Sequence, residues 1–385
     1  MNLELTETQK MIQDTARNFA KAELDPVAAK MDQQGDRETF LKNLRKLGEL
    51  GLMAINCKEQ YGGSEAGVIA FSLAVTEIGK ACASTGVTMS VNNMCCEVIQ
   101  AIGTEEQKKA YIPKIASGEY YAGGFGLTET MAGSDPSGMR TTAVLDGDSW
   151  VLNGTKIFIT SAEYAGVFVV WAVTDPKVPK GKGISTFLVE NGTKGFSIGR
   201  AEHKMGQHAS ATNELLFEDC RIPKTALMGK VNDGFRTAVG ELAGGRIGIG
   251  SLGLGIGQAA IEYATKYAMN RFQFDQPITN FQAIQWMIAE SYTELEAARL
   301  LLMNAAFKKE NGKFFAREAS MAKYYATEAA ERACHKAIQM LGGYGYTNEF
   351  PVERYARDVR ITSIYEGTNQ VQRLIIARDI LSSLK

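Results

Sequence analysis

Residues 167–171 read Val167-Phe168-Val169-Val170-Trp171, an unbroken run of β-branched and aromatic side chains with no helical period. Such a run predicts a strand. Its neighbours repeat the signature at Trp150-Val151-Leu152, Ile157-Phe158-Ile159 and Thr186-Phe187-Leu188-Val189. Turn signals fall between these runs at Asp146-Gly147-Asp148, Asn153-Gly154, Lys182-Gly183 and Asn191-Gly192. Residues 121–228 are therefore expected to form a β domain, an antiparallel sandwich or barrel.

On both sides the period changes. Residues 1–120 read helical: Thr6 with Gln9 forms a capping box before Met11, Ala16 and Phe19, and Thr104 with Gln107 forms a second toward Ile112 and Ile115. Between them Phe40, Leu41, Leu44 and Leu47 recur at helical spacing, and Gly48 and Gly51 close that pattern. Residues 229–385 are helical again. The stretches 278–309 and 314–341 alternate Ala/Leu/Met with Glu/Lys/Arg, and breaks fall at Asn311-Gly312 and Gly342-Gly343. The expected chain is mainly α with a β middle domain: helical (1–120), β (121–228), helical bundle (229–385).

Composition removes several classes of function. A net charge of -1, from 42 basic and 43 acidic residues, leaves no footprint for a phosphate backbone, so nucleic acid is not an expected partner. The start, Met1-Asn2-Leu3-Glu4-Leu5-Thr6-Glu7, lacks the basic and apolar regions of a signal peptide. No stretch approaches the roughly 20 apolar residues that span a bilayer, so membrane insertion is not expected. The six cysteines form no CxxC and read as reduced thiols of a cytoplasmic protein. His203, His208 and His335 make no HExxH or Cys/His cluster, so no metal site is expected.

Four motifs carry chemistry. Phe125-Gly126-Leu127-Thr128-Glu129, followed by Ala132-Gly133-Ser134-Asp135, sets small residues and hydroxyls after a strand, where backbone amides approach a ligand. Alone, it reads equally well as a Gly/Ser loop. Lys156-Ile157-Phe158-Ile159-Thr160 is a strand ending in an aromatic and a hydroxyl. Gly244-Gly245-Arg246-Ile247-Gly248 leads into Gly253, Gly255 and Gly257; so many glycines in one helix point to a close backbone approach. A dinucleotide fingerprint is rejected there, because no strand precedes it. Tyr365-Glu366-Gly367-Thr368-Asn369-Gln370 precedes the apolar run Val371, Leu374, Ile375. Thr368 caps that helix, and Glu366 is left on an irregular segment beside a glycine. Alone, such a carboxylate is usually only solvated.

In this order and at these spacings, the four segments resemble the acyl-CoA dehydrogenase family. Further matches are Tyr61-Gly62-Gly63, Met89-Ser90-Val91-Asn92-Asn93, Arg271-Phe272-Gln273-Phe274 with Gln282 beyond it, Gln339-Met340-Leu341-Gly342-Gly343, and Arg357-Asp358. The resemblance covers essentially the whole chain and is greatest to the short-chain (butyryl-CoA) branch. It implies a four-helix bundle at the C-terminal end, a homotetramer, FAD as cofactor, acyl-CoA as substrate and an electron-transferring flavoprotein as electron partner. It also implies roles. Phe125, Leu127 and Thr128 line the flavin, and Phe158 and Thr160 pack on its other side. Arg271, Phe274, Gln282, Gln339 and Gly343 hold the adenosine and pyrophosphate, partly across a subunit interface, and Thr368 and Gln370 close the FAD site. Ser134 and Arg246 contact CoA, Tyr365 and Gly367 flank the substrate, and Glu366 is the base.

The sequence departs from the family pattern at four places. Thr130 replaces a proline, Asp275 a glycine, and Ala243 an aspartate three residues before Arg246. The stretch Met94-Cys95-Cys96-Glu97 differs and is one residue shorter. Some relatives carry the base immediately before the CoA arginine; that position here is Gly245, which leaves Glu366 as the base. In the family the thioester carbonyl is polarised by a flavin ribityl hydroxyl and by the base residue's own backbone N–H. Burial under an acyl chain is expected to raise the base's pKa. Rival readings are an enoyl-CoA reductase on the same site, a cyclic or branched substrate, and a non-catalytic CoA- or flavin-binding scaffold. The expected acyl group is small, because Met94, Cys95 and Cys96 fill a pocket rather than open a tunnel. Glu97 is expected to meet solvent or a structural partner rather than to sit unpaired in that pocket.

Overall fold

The structure is a computed structural model that describes residues 4–384, without the side chains of Val239 and Glu241. The first three residues of the acidic N-terminus, and Lys385, lie outside the described residues. The N-terminal part consists of α1 (Glu7–Phe19), α2 (Ala28–Gln34), α3 (Arg37–Glu49), α4 (Val68–Ala81), α5 (Ala83–Ile102) and α6 (Glu105–Ala116). Both capping boxes form. Thr6 Oγ1 accepts from the Gln9 amide at 3.2 Å while Gln9 Oε1 accepts from the Thr6 amide at 3.0 Å. Thr104 and Gln107 repeat this at 3.3 and 2.9 Å. A π-helical turn at Ala20–Leu24 extends α1.

Helix α5 is buried on nearly every side, which requires its polar groups to be satisfied internally. Asn93 accepts from the Ile55 amide at 2.6 Å and donates to the carbonyls of Leu52 and Met89 at 3.0 and 2.9 Å. Asn92 Oδ1 accepts from the Gly123 amide at 2.6 Å. The two asparagines thus fasten the preceding loop and the first strand to one helix.

That strand, β1 (Ala122–Gly126), opens an eight-stranded sheet with β2 (Thr142–Asp146), β3 (Ser149–Thr160), β4 (Ala165–Val173), β5 (Ile184–Glu190), β6 (Phe196–Ala201), β7 (Thr212–Pro223) and β8 (Leu227–Met228). The order is β6-β7-β3-β2-β4-β5-β8, with β1 paired to β4. The Val167–Trp171 run lies at the heart of β4 and is buried. Most pairings are antiparallel, but β1 runs parallel to β4, and β2 meets β4 in parallel at Thr142–Val173. One turn signal is corrected. Asn153-Gly154 does not separate two strands, because β3 runs straight through it with a bulge between Leu152 and Gly154. Gly154 has φ 144°, and a Cβ there would lie 2.6 Å from Thr141 Oγ1, so the glycine serves a bulge and a close approach.

The C-terminal part begins with α7 (Gly234–Asn270) and a two-strand hairpin, β9 (Phe272–Gln273) and β10 (Gln276–Pro277). It continues with α8 (Gln282–Glu310), α9 (Ala316–Leu341), α10 (Val352–Arg360) and α11 (Asn369–Ser383). Helices α7, α8 and α9 pack pairwise, α11 lies on α9, and α4 joins α7 to the N-terminal part. The glycines of α7 explain its close packing. A Cβ on Gly257 would sit 2.9 Å from Ala330 Cα on α9, and one on Gly255 would sit 2.3 Å from the Thr76 carbonyl on α4. Side chains there would hold the helices apart.

Candidate active site

Glu366 lies in the short connection between the 3₁₀ turn Ile361–Ser363 and α11. It has φ 54°, and Gly367 follows with φ 86°. Two consecutive left-handed residues turn the chain so that Thr368 caps α11, its Oγ1 accepting from the Val371 amide at 3.2 Å. A glutamate in that conformation is uncommon, and such backbone strain collects at functional sites. Gln372 Nε2 secures the turn, donating to the carbonyls of Glu366 and Gly367 at 3.2 and 2.9 Å.

The Glu366 residue keeps partial exposure overall, but its Oε2 is buried and has no hydrogen-bond partner among the described residues. The seat for this carboxylate is Gly245 on α7. A Cβ there would lie 2.8 Å from Glu366 Oε2 and 3.0 Å from Met94 Sδ. Burial pushes the Glu366 carboxyl up to about 7, and the charges of Arg246 and Lys323 oppose that rise. Arg246 is itself buried and donates to Ser320 Oγ at 3.3 Å, while its Nε has no partner. Ala243 supplies no carboxylate three residues back along the helix, where an aspartate would be within reach.

Tyr365 ties this turn to the sheet. Gln207 Nε2 donates to the Tyr365 hydroxyl at 3.2 Å and to the Asp358 carbonyl at 3.1 Å, and the Gln207 amide donates to Asp358 Oδ1 at 2.5 Å. Burial pushes Asp358 up to about 6. Gln207 carries φ 52°, a signal that appears only in the backbone. Neither Gln207 nor Lys323 belongs to a motif, so sequence reasoning missed both.

The predicted ligand residues fall into three groups. In the first, Phe125 stacks at 4.4 Å on Trp171, and the loop that carries Leu127 and Thr128 is pinned beside β3. Lys156 Nζ donates to Glu129 Oε1 at 2.7 Å and to the Leu127 carbonyl at 3.2 Å, and the Ile157 amide donates to the Thr128 carbonyl at 2.9 Å. Glu129 also accepts from the amides of Arg140 and Thr141 at 2.6 and 3.0 Å. Burial lowers Lys156 to about 8 against the opposing pull of Glu129. Thr130 is exposed, and the turn around it closes through reciprocal bonds between Glu129 and Ala132, so a proline is not required. On β3, Phe158 has φ 57° and stands 59% exposed, with half-buried Thr160 just beyond it. Ser134 is exposed on the same loop.

In the second group, Thr368 and Gln370 line a cleft of about 380 Å³ together with Arg332, His335 and Arg360. In the third, Arg271, Phe274, Gln282, Gln339 and Gly343 are all exposed. The Arg271 guanidinium lies 5.9 Å from the ring of Tyr344, which brings the β9–β10 hairpin beside Gly343. Asp275 adopts φ 59°, the left-handed conformation for which a glycine is otherwise selected, so the tight turn is kept. Among the described residues, no hydrogen bond, ion pair or ring contact links this third group to the other two. A larger cleft of about 520 Å³ between α7 and α8, lined by Gln258, Glu262 and Tyr292, contains none of the predicted residues.

Glu97 meets a structural partner. It pairs with Lys309 of α8 and accepts from Asn56 Nδ2 at 2.7 Å. The Lys309 ammonium sits where a Cβ on Gly244 would be, 2.6 Å away. Adjacent glycines on α7 therefore seat two charged groups, the Glu366 carboxylate and the Lys309–Glu97 pair.

Helices, sheet and helices, with a buried carboxylate oxygen that has no hydrogen-bond partner among the described residues in the turn before the last helix, define a recognisable class of fold. The chain belongs to the acyl-CoA dehydrogenase family: its N-terminal domain matches at residues 6–119, its middle domain at 124–220 and its C-terminal domain at 232–381. The chain is 48% identical over 385 residues to the mitochondrial short-chain specific acyl-CoA dehydrogenase of Bos taurus, covering 100% of this chain and 92% of that protein. It is 44% identical to the acryloyl-CoA reductase (NADH) of Anaerotignum propionicum, covering 99% and 96%. It superimposes with a TM-score of 0.96 and 46% identity on a chain of the solved structure of the electron transferring flavoprotein of Acidaminococcus fermentans, covering 99% of this chain and 100% of that one.

Proposed function

We propose that this chain removes hydrogen from Cα and Cβ of a short or compact acyl-CoA, giving the enoyl-CoA, with Glu366 as the catalytic base. The observation that carries this reading is the buried, unpartnered Glu366 Oε2 on a left-handed turn, with Gly245 making room for it. A base of this kind is typically worth 10²–10⁴-fold in rate. Its environment keeps the carboxyl's affinity for a proton high, which suits abstraction of a weakly acidic α-hydrogen. Arg246, charged and buried close by, stabilises the carboxylate form before the proton moves.

FAD is the proposed cofactor. The uncovered Phe158 ring, with the Thr128 carbonyl bonded to the adjoining Ile157 amide, Thr160 two residues on and a loop tied down by Lys156 and Glu129, fits a flat ring with polar edges. Phe125 and Leu127, with Thr128, would line the flavin on the side opposite Phe158 and Thr160. Thr368 and Gln370 would close the site, and Arg271, Phe274, Gln282, Gln339 and Gly343 would hold the adenosine end from a neighbouring subunit. When bound, FAD supplies the hydride chemistry. Ser134 and Arg246 are proposed to contact CoA, with Tyr365 and Gly367 flanking the acyl group. An electron-transferring flavoprotein is the proposed electron partner, supported by the family and by the structure from Acidaminococcus fermentans. Six free, buried thiols support a cytoplasmic setting, and among the described residues no helix is long and apolar enough to cross a membrane. The likeness to an acryloyl-CoA reductase favours a second reading in which the same site runs toward saturation.

The test is anaerobic addition of butyryl-, hexanoyl-, octanoyl-, isobutyryl-, glutaryl- and cyclohexanecarboxyl-CoA, followed through flavin bleaching. The wild-type protein is expected to bleach fastest with the smallest acyl groups. Glu366→Gln is expected to keep FAD and bind acyl-CoA without bleaching. Bleaching of that variant at near wild-type rate removes Glu366 from the mechanism, and a maximum at octanoyl removes the small pocket.

A further inference from the structure

Among the charges around Glu366, one has no part in the reading above. Lys323 lies two turns into α9, and its side chain is fully buried. Its Nζ donates to the Gly367 carbonyl at 3.0 Å and to Asn369 Oδ1 at 2.9 Å. Asn369 is held in turn, its Nδ2 donating to Thr327 Oγ1 at 3.0 Å one turn further along α9. A single ammonium therefore grips both ends of the segment 367–369 that follows Glu366 and completes its left-handed turn. Burying an ammonium is unfavourable unless its protons are taken up. Nothing in α9 itself calls for one: Ala319, Ala322, Ala326, Ala329, Ala330 and Ala333 are all fully buried, so an apolar side chain would suit this seam.

We propose that Lys323 is a positioning residue for the base: it fixes the Gly367 peptide, and through it the direction in which the Glu366 carboxylate projects, and it holds a positive charge near that carboxylate. The inference rests on the assignment of Glu366 as base. The charged surroundings agree with it. Burial pushes Lys323 down to about 7, while Glu366 pulls it up; Arg246 of α7 lowers it further, and Glu328 and Glu331 of α9 raise it, so the ammonium carries its charge on the acid side of about pH 7, where the base is being ionised. Around Glu366 itself stand Arg246, Lys323, the buried Cys95 thiol of α5 and the Tyr365 hydroxyl, and burial raises the last two well above their ordinary values, so both stay neutral.

The experiment compares Lys323→Met and Asn369→Ala with wild type as FAD-loaded enzymes. For Lys323→Met, FAD content, assembly and acyl-CoA affinity by titration calorimetry are expected near wild type. Flavin reduction is expected to slow about 10²-fold, the scale of a misplaced reacting group. The acid limb of its pH–rate profile is expected to move upward, because Glu366 loses a neighbouring cation. Asn369→Ala keeps the charge and removes one anchor, so it is expected to slow reduction without moving that limb. A fall in thermal stability with rate and limb unchanged in Lys323→Met overturns the proposal. If Lys323→Met gives no folded flavoprotein, a wild-type rate in Asn369→Ala overturns it. Glu366→Gln, measured alongside, separates the two readings. Bleaching there sinks the base itself, whereas an inert Glu366→Gln beside an unimpaired Lys323→Met sinks the lysine's role alone.

Discussion

At the scale of single residues, the site is decided by how little surrounds one carboxylate. Among the described residues Glu366 Oε2 meets no donor, and its burial, outweighing the opposing charges of Arg246 and Lys323, lifts its pKa from 4.5 to about 7. The direction of the pH effect follows. The fold favours the protonated form, so the stability linked to this group is complete below about pH 4.5 and is lost as pH rises through about 7. Catalysis needs the ionised form, so the second-order rate of flavin reduction at low acyl-CoA is expected to rise with pH and level off above about 7, losing roughly tenfold per unit on the acid side. Stopped-flow rates across that range measure it, and a flat profile down to pH 5 contradicts a base with a raised pKa. Glu97, by contrast, is a carboxylate with partners: it pairs with Lys309 and accepts from Asn56.

At the scale of elements, α7 sets local preference against packing. Alanine in place of glycine inside a helix stabilises by about 1 kcal/mol on propensity alone. At Gly240, where none of the described atoms lies within 4 Å of an added Cβ, that gain is expected in full, so Gly240→Ala should raise Tm. At Gly257 the new methyl meets Ala330 Cα at 2.9 Å and Leu295 Cδ2 at 2.9 Å. Overpacking there costs about 1–3 kcal/mol, so Gly257→Ala should lower Tm despite the better helix former. Thermal denaturation of the two variants side by side gives opposite signs if backbone approach is what the glycines provide. Such features are the ones a sequence displays: capping boxes at Thr6 and Thr104, the β4 run, the glycines of α7 and the cap at Thr368 are all local patterns, and each forms. What stayed hidden depends on distant parts of the chain. Lys309 lies 212 residues from Glu97, and Lys323 is 44 residues from the carbonyl it holds. The parallel pairing of β1 with β4 and the bulge at Gly154 depend on which strand becomes the neighbour, and a strand's own pattern does not state that.

At the scale of the whole molecule, the chain carries apolar surface that its own fold does not cover. Phe274 is 86% exposed and Tyr346 90%, with Trp286 and Phe272 also open, all on the C-terminal part of the chain. Concentrated aromatic exposure of this kind marks a surface that another molecule covers. Phe274 makes the point sharply, because it occupies φ 53° in a tight turn, a conformation that suits asparagine, aspartate or glycine far better than a bulky ring. Keeping an aromatic there works against the local backbone preference, and the proposed return is contact with the cofactor of a neighbouring subunit in a homotetramer. Phe274→Asp separates these effects, since aspartate fits the turn at least as well and should not disturb the fold of the single chain. The wild-type protein is expected to sediment at four times the 41.9 kDa chain mass with one FAD per chain. The variant is expected to lose FAD and assembly together while keeping its helical content by circular dichroism. A monomer that retains stoichiometric FAD, in either protein, contradicts the shared site, because it would show that one chain alone holds the whole cofactor.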